Sequence, residues 1–172
     1  MKTKYVLLSV VTPLIIILDQ LTKYIVLQKF RLGETIPIIT GFFNLTYIRN
    51  TGAAFGLLAQ ANPAFRTPFF VAVPLIALVA VGYIFKKIDD RDDMLSVSLS
   101  LVIGGAIGNL IDRLQMGFVV DFLDFHWGYG YHFPAFNVAD SAICVGVAIL
   151  LLDLMFEKHV PSEMKPHASS VI

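Results

Sequence analysis

Four apolar runs, each about as long as a bilayer's hydrocarbon core is thick, constrain this chain more than any other feature. At a rise of about 1.5 Å per residue, roughly 20 apolar residues cross a core of roughly 30 Å. Such runs lie near 5–27, 68–85, 94–113 and 136–156. Hydrophobic residues make up 56% of the 172 and charged residues only 15%, so little chain is left for a separate soluble unit. The expected fold class is therefore an all-α polytopic membrane protein, a single membrane domain over 1–172 with segments 28–67 and 114–135 outside the spans. Thirteen basic residues balance thirteen acidic ones, which gives no pull toward nucleic acid. One cysteine, Cys144, lies inside an apolar run. That excludes a disulfide or a cysteine-rich metal site and reads as packing.

Lys2 and Lys4 before the first run give it the look of a signal peptide, but no small-residue cleavage site follows and the pattern continues to Leu27, so it reads as an uncleaved helix. Residues 28–67 are broken by Gly33, Pro37, Gly41, Gly52 and Gly56 around two short β-prone runs, Thr35–Ile39 and Phe43–Ile48. Non-helical backbone must lie outside the hydrocarbon or against protein, so a small β-rich cradle at the extracytoplasmic surface is expected, with 62–66 as a connection. Pro74 should kink the second helix. Gly104 and Gly108 form a small-xxx-small pair suited to close helix packing. Segment 114–135 reads as an aromatic loop, and the tail from Glu157 as mobile. Four spans put both termini on one side. Lys2, Lys4, Lys86, Lys87, Arg91, Lys158 and Lys165 then mark that side as cytoplasmic.

The polar residues inside the spans agree in depth. Counted from the inner end, Asp19 lies about 21 Å along the first helix and Lys23 one turn further, while Asn109 and Asp112 lie about 22 and 27 Å along the third. Asp140 lies about 6 Å into the fourth from its outer end. All fall in the outer third, although the helices alternate in direction. Ionisable groups at mid-membrane cost at least about 2.5 kcal/mol each and normally face a cavity or a partner. Each also has a plain reading. Asp19 and Lys23 have the i, i+4 spacing of a helical ion pair. Asn109, Asp112 and Arg113 could close a helix end. Asn137 and Asp140 have the spacing of an N-cap and an acidic N3 residue.

Asp121 and Asp140, joined by a loop that can fold back, suit chemistry that needs two carboxylates. Placed together they cannot both ionise easily, so one can act as base on water while the other, protonated, polarises a carbonyl. His126 and His132 lack the spacing that zinc proteases place on a helix, and Ser141 lacks a nucleophile-elbow turn. No metal and no other cofactor is expected. A proton-coupled transporter using Asp19, Asp112, Asp121 and Asp140 as a relay, or a non-enzymatic scaffold, remains open on these grounds.

Five stretches occur in order: Asp19 to Lys23 (DQLTK), Arg49 to Gly56 (RNTGAAFG), Gly108 to Arg113 (GNLIDR), Val119 to Phe122 (VVDF) and Phe136 to Ser141 (FNVADS). Together they resemble bacterial lipoprotein signal peptidase, signal peptidase II, over nearly all of 5–156. The resemblance implies an aspartyl endopeptidase of the bacterial inner membrane that cuts prolipoproteins before a diacylglyceryl-modified cysteine, and that is the target of globomycin. It implies Asp121 and Asp140 as the catalytic pair, with Asp19, Lys23, Asn50, Gly52, Asn109, Asp112, Arg113 and Asn137 as binding and supporting residues. Arg113 would meet a carbonyl or a lipid headgroup. The substrate and membrane lipids are the implied partners, and a monomer is the simplest assembly. Residues 35–56 could clamp substrate from above.

Overall fold

A computed structural model describes residues 2–52, 62–128 and 130–157. Gly56 of the clamp motif and Lys158 and Lys165 of the tail lie outside the described residues. The elements run α1 (Thr3–Lys29), β1 (Thr35–Ile39), β2 (Phe43–Asn50), α2 (Pro63–Lys87), α3 (Asp93–Met116), β3 (Val119–Trp127), β4 (Tyr131–His132) and α4 (Val138–Glu157). Among the described residues, the four helices are each long and apolar enough to cross a membrane.

Helix α3 packs against each of the other three helices. Half of its apolar span is buried, against 11–17% in the others. Its sequence explains this position, because small residues allow backbones to approach where large ones would hold them apart. Gly104 and Gly108 face α1, and Gly105 faces α4. A Cβ on Gly108 would stand 2.6 Å from Asp19 Oδ2, and one on Gly105 would run into the Ala139 carbonyl and stand 2.8 Å from Ile143. Ser98 Oγ donates to the Gly146 carbonyl on α4 at 2.8 Å, and Thr12 Oγ1 donates from α1 to the Ser100 carbonyl at 3.0 Å. These bonds fix the register of helices that have no hydrophobic drive to associate in lipid.

Gly105→Ala should therefore separate α3 from α4 and lower stability by about 1–3 kcal/mol, the range for overpacking. Thermal unfolding in detergent reads the change. Gly82→Ala, on α2 with open space around the position, should stay within about 1 kcal/mol of the parent.

At one end of the bundle Lys4, 3% exposed, donates to the Ile88 carbonyl at 2.8 Å and meets Asp90 at 3.0 Å, while Lys2 meets Asp90 at 2.7 Å. These contacts tie the start of α1 to the α2–α3 turn. At the other end the strands form one antiparallel sheet in the order β1-β2-β3-β4. Val26, Tyr47, Val120 and Phe122 form a buried cluster joining the end of α1 to β2 and β3.

The expected boundaries shift in three places. Segment 114–135 is not a plain loop: Val119–Trp127 is the longest strand among the described residues, paired with β2 from Asn50 opposite Val119 to Phe43 opposite Phe125. Its partner lies some 70 residues earlier, so local pattern under-reports it. Residues 62–66 are not a connection. Asn62 caps α2 by accepting from Ala64 N at 2.9 Å, and Pro63 takes the first position, where its missing N–H is no loss. Helix α2 runs on through Pro68 and Pro74. Helix α4 starts at Val138 rather than Phe136, which instead bridges Leu123 on β3.

Candidate active site

Helix α3 ends at Gly117, whose φ of 76° is the left-handed cap that lets the chain reverse into β3 two residues later. That reversal brings Asp121 beside the N-terminus of α4. Asn137 is fully buried there and joins the two carboxylates. Its Nδ2 donates to Asp121 Oδ1 at 2.8 Å, its backbone N–H donates to Asp140 Oδ2 at 3.2 Å, and its Oδ1 accepts from Asp140 N at 2.9 Å. The last two bonds are a reciprocal cap. The plain reading of Asn137 and Asp140 thus describes their backbone geometry, and the same cap aims Asp140 toward Asp121.

Two further amides complete the shell. Asn50 Nδ2 donates to Asp121 Oδ2 at 2.9 Å, and Gly52 N holds the other end of that amide by donating to Oδ1 at 3.0 Å. Asn109 Nδ2 donates to Asp140 Oδ1 at 2.7 Å. Each oxygen of both carboxylates accepts a hydrogen bond. Asp121 is 2% exposed. Burial, and then the charge of Asp140, push its carboxyl up to about 7 against the bonds from Asn50 and Asn137. A carboxyl raised that far can hold a proton near neutrality.

Asp121, Asp140, Asn50, Gly52, Asn109 and Arg113 all line one cavity of about 780 Å³. Arg113 donates from Nη1 to the Asn109 carbonyl at 3.3 Å and lies over the Phe70 ring at 5.7 Å. Cys144 is exposed and lines the same cavity, so the expectation of plain packing is corrected. It follows Asp140 by one helical turn and shares its face.

Asp19, Lys23 and Asp112 stand behind this wall. Lys23, 2% exposed, meets Asp19 Oδ2 at 2.8 Å, Asp112 Oδ2 at 3.0 Å and Asn109 Oδ1 at 2.9 Å. The other oxygen of Asp19 accepts from Ala139 N at 2.9 Å, and Asp112 Oδ2 also accepts from Val120 N at 3.0 Å. The two acids thereby hold the backbone next to Asp140 and Asp121 respectively. Gln20 had no role in the sequence reading. Its Nε2 donates to Asp112 Oδ1 at 2.9 Å and to the Gly108 carbonyl at 3.1 Å. Its neighbour Asp19 could not have indicated this, because the bond depends on how α1 is rotated against α3.

Asp124 belongs to a separate cluster. It accepts from Asn44 Nδ2 at 2.8 Å and from His132 Nδ1 at 2.9 Å. Burial pushes its carboxyl up, but these two bonds outweigh it and hold the group below the usual range.

The sequence profile of the family described as signal peptidase (SPase) II matches residues 11–156. The chain belongs to the signal peptidase II family. It is a membrane aspartic peptidase. It is 48% identical over 163 residues to a lipoprotein signal peptidase of Geobacter metallireducens, covering 95% of this chain and 99% of that one. A lipoprotein signal peptidase of Syntrophotalea carbinolica is 49% identical over 146 residues, 85% of this chain and 89% of the relative. A solved structure described as a bacterial membrane enzyme, determined by the in meso method at 2.3 Å, shares the fold with a TM-score of 0.79 at 35% identity and covers 92% of each chain. The architecture of four membrane helices and a small antiparallel sheet is thus common to this chain and that enzyme.

Proposed function

We propose that Asp121 and Asp140 are the pair with which this signal peptidase II removes signal peptides from prolipoproteins, cutting before a cysteine that carries diacylglycerol. The observation that carries this reading is Asn137, one buried residue whose side chain donates to Asp121 and whose backbone N–H donates to Asp140, the two carboxylates lining a single cavity. Asp121, raised to about 7, enters protonated, and Asp140 enters ionised. Asp140 takes a proton from water as the water oxygen bonds to the scissile carbonyl carbon, and Asp121 gives its proton to the carbonyl oxygen. On collapse Asp121 takes a proton back from the tetrahedral carbon's hydroxyl, and Asp140 delivers its proton to the leaving nitrogen as the C–N bond breaks. The starting protonation states are restored.

The apolar walls formed by Ile48, Val119, Phe133, Phe136 and Ile143 suit an acyl chain and a hydrophobic signal helix arriving from the bilayer. The basic cluster of Lys2, Lys4 and the 86–91 turn marks one end of the bundle. This favours cytoplasmic termini, a site near the outer face of the inner membrane, and a β-rich segment above it that holds substrate through Asn50 and Gly52. The helices and sheet form one domain, and a monomer carries the complete pair. The relay alternative is disfavoured because Lys23 already engages Asp19 and Asp112.

The test is a pH profile of cleavage by the purified protein in lipid, using a diacylglyceryl-modified precursor and its unmodified counterpart. The acid must be protonated to act, so kcat/KM should fall as pH rises through about 7. Asn50→Ala removes a bond that favours ionised Asp121 and should move this limb to higher pH. Equal cleavage of both precursors would remove the lipid requirement, and a flat profile across that limb would remove the assignment of Asp121 as acid.

A further inference from the structure

Arg49, near the end of β2, is a feature of the cavity that the proposed chemistry does not use. It is exposed and lines the cavity. Its Nε donates to Tyr47 Oη at 2.8 Å, and its guanidinium carbon lies 4.7 Å from the Phe118 ring centre and 5.6 Å from that of Tyr47. Arginine usually samples many rotamers, but here one edge is hydrogen-bonded and two aromatic rings lie against the group. The remaining N–H bonds form a fork with no hydrogen-bond acceptor among the described residues, and no carboxylate pairs with it there. A pre-organised fork of this kind matches two oxygens of a phosphate or carboxylate.

The rest of the wall narrows the choice. The cavity, at about 780 Å³, lies in the range of small-molecule sites, and Ile48, Val119, Phe133, Phe136 and Ile143 make its lining largely apolar. A cation beside apolar walls, in a chain with four membrane-length helices, is complementary to an amphiphile with an anionic head and an acyl tail. The diacylglyceryl group of the proposed substrate has ester oxygens but no charge, so it leaves this cation unmatched. We propose that Arg49 docks the phosphodiester of a bilayer phospholipid whose chain lies on the apolar wall, and that the lipid occupies the cavity between turnovers and is displaced by substrate. The displacement half of this proposal rests on the reading of the cavity as the substrate cleft, and the docking half does not.

Native mass spectrometry of the protein in nonionic detergent tests the docking. Dioleoylphosphatidylglycerol is the probe. Dioleoylglycerol supplies the same chains without phosphate, and inorganic phosphate supplies the anion without chains. A one-to-one phosphatidylglycerol adduct should form that neither control reproduces or displaces. Arg49→Gln should weaken it about tenfold, the loss of one charge-assisted contact, and Arg49→Lys should recover only part because an ammonium has no fork. With the lipidated precursor, added phosphatidylglycerol should raise the apparent KM of the parent without changing kcat, and Arg49→Gln should blunt that rise. An unchanged adduct in Arg49→Gln overturns the proposal. So does equal retention of dioleoylglycerol, and so does displacement of the lipid by inorganic phosphate, which would make the site one for free anions. The adduct needs no turnover, so a failure of the catalytic assignment leaves its outcome readable.

Discussion

Asp121→Asn and Asp140→Asn should each lower kcat/KM for the lipidated precursor by at least about 10³-fold, because each removes one of two groups that must exchange protons with the reacting atoms. The two substitutions fail for different reasons. At position 121 the amide cannot give up a proton to the carbonyl oxygen. At position 140 the amide cannot accept one from water. The fold should tolerate both. Asparagine has nearly the same shape, and each site keeps one oxygen for one of its two donors: Asn50 and Asn137 at Asp121, Asn109 and the Asn137 backbone at Asp140. The second donor loses its acceptor, so a stability loss of about 1–3 kcal/mol is expected, well short of unfolding a packed bundle. Thermal unfolding and cleavage measured on the same preparation separate the two effects. Asp124→Asn is the matching control. It disturbs the bonds to Asn44 and His132 outside the cavity and should keep kcat/KM within about threefold of the parent, a difference below 1 kcal/mol in the barrier. A variant at 121 or 140 that retained cleavage would remove that residue from the pair.

The sequence disclosed depth better than direction. A fixed rise per residue carries Asp19, Asn109, Asp112 and Asp140 to one layer, and the structure joins all four through Lys23, Asn109 and the start of α4. Depth does not say which way each helix is turned. It could not separate Asp140, which lines the cavity, from Asp19 and Asp112, which stand behind it. That distinction arises where Gly105 and Gly108 let α4 and α1 close on α3. The four spans were legible because each is a continuous run of apolar residues. Strand β3 was not, since Val119–Trp127 is stabilised by pairing with distant β2, and its burial follows the sheet's position on the helix ends. The double duty of Asn137 was half legible. Its spacing from Asp140 announces the cap, but its bond to Asp121 exists only because Gly117 turns the chain back.

Lys23→Met should be among the most destabilising single changes outside the cavity, at about 3–5 kcal/mol, the range for removing one partner of a buried ionic group. The side chain is nearly isosteric, so packing is retained and the loss is electrostatic. Asp19 and Asp112 are 0% and 1% exposed. Without the ammonium they face each other as two buried carboxylates with no cation between them. One must take up a proton, or the α1–α3 contact must open to water. The consequence reaches the site through Asn109. The ammonium can only donate, so it holds Asn109 Oδ1 toward itself and leaves Nδ2 to donate to Asp140. Once Lys23 is gone, that orientation rests on the weaker 3.2 Å bond from Asn137, and Asp140 loses a fixed donor. Activity should therefore fall even at temperatures where the variant remains folded. Lys23→Met combined with Asp112→Asn removes one of the stranded charges, so thermal unfolding should show the double variant more stable than Lys23→Met alone. Cleavage should not recover in parallel, because Asn109 is still unheld. If stability and cleavage returned together, Lys23 would act only by neutralising charge, and its orienting role on Asn109 would be lost.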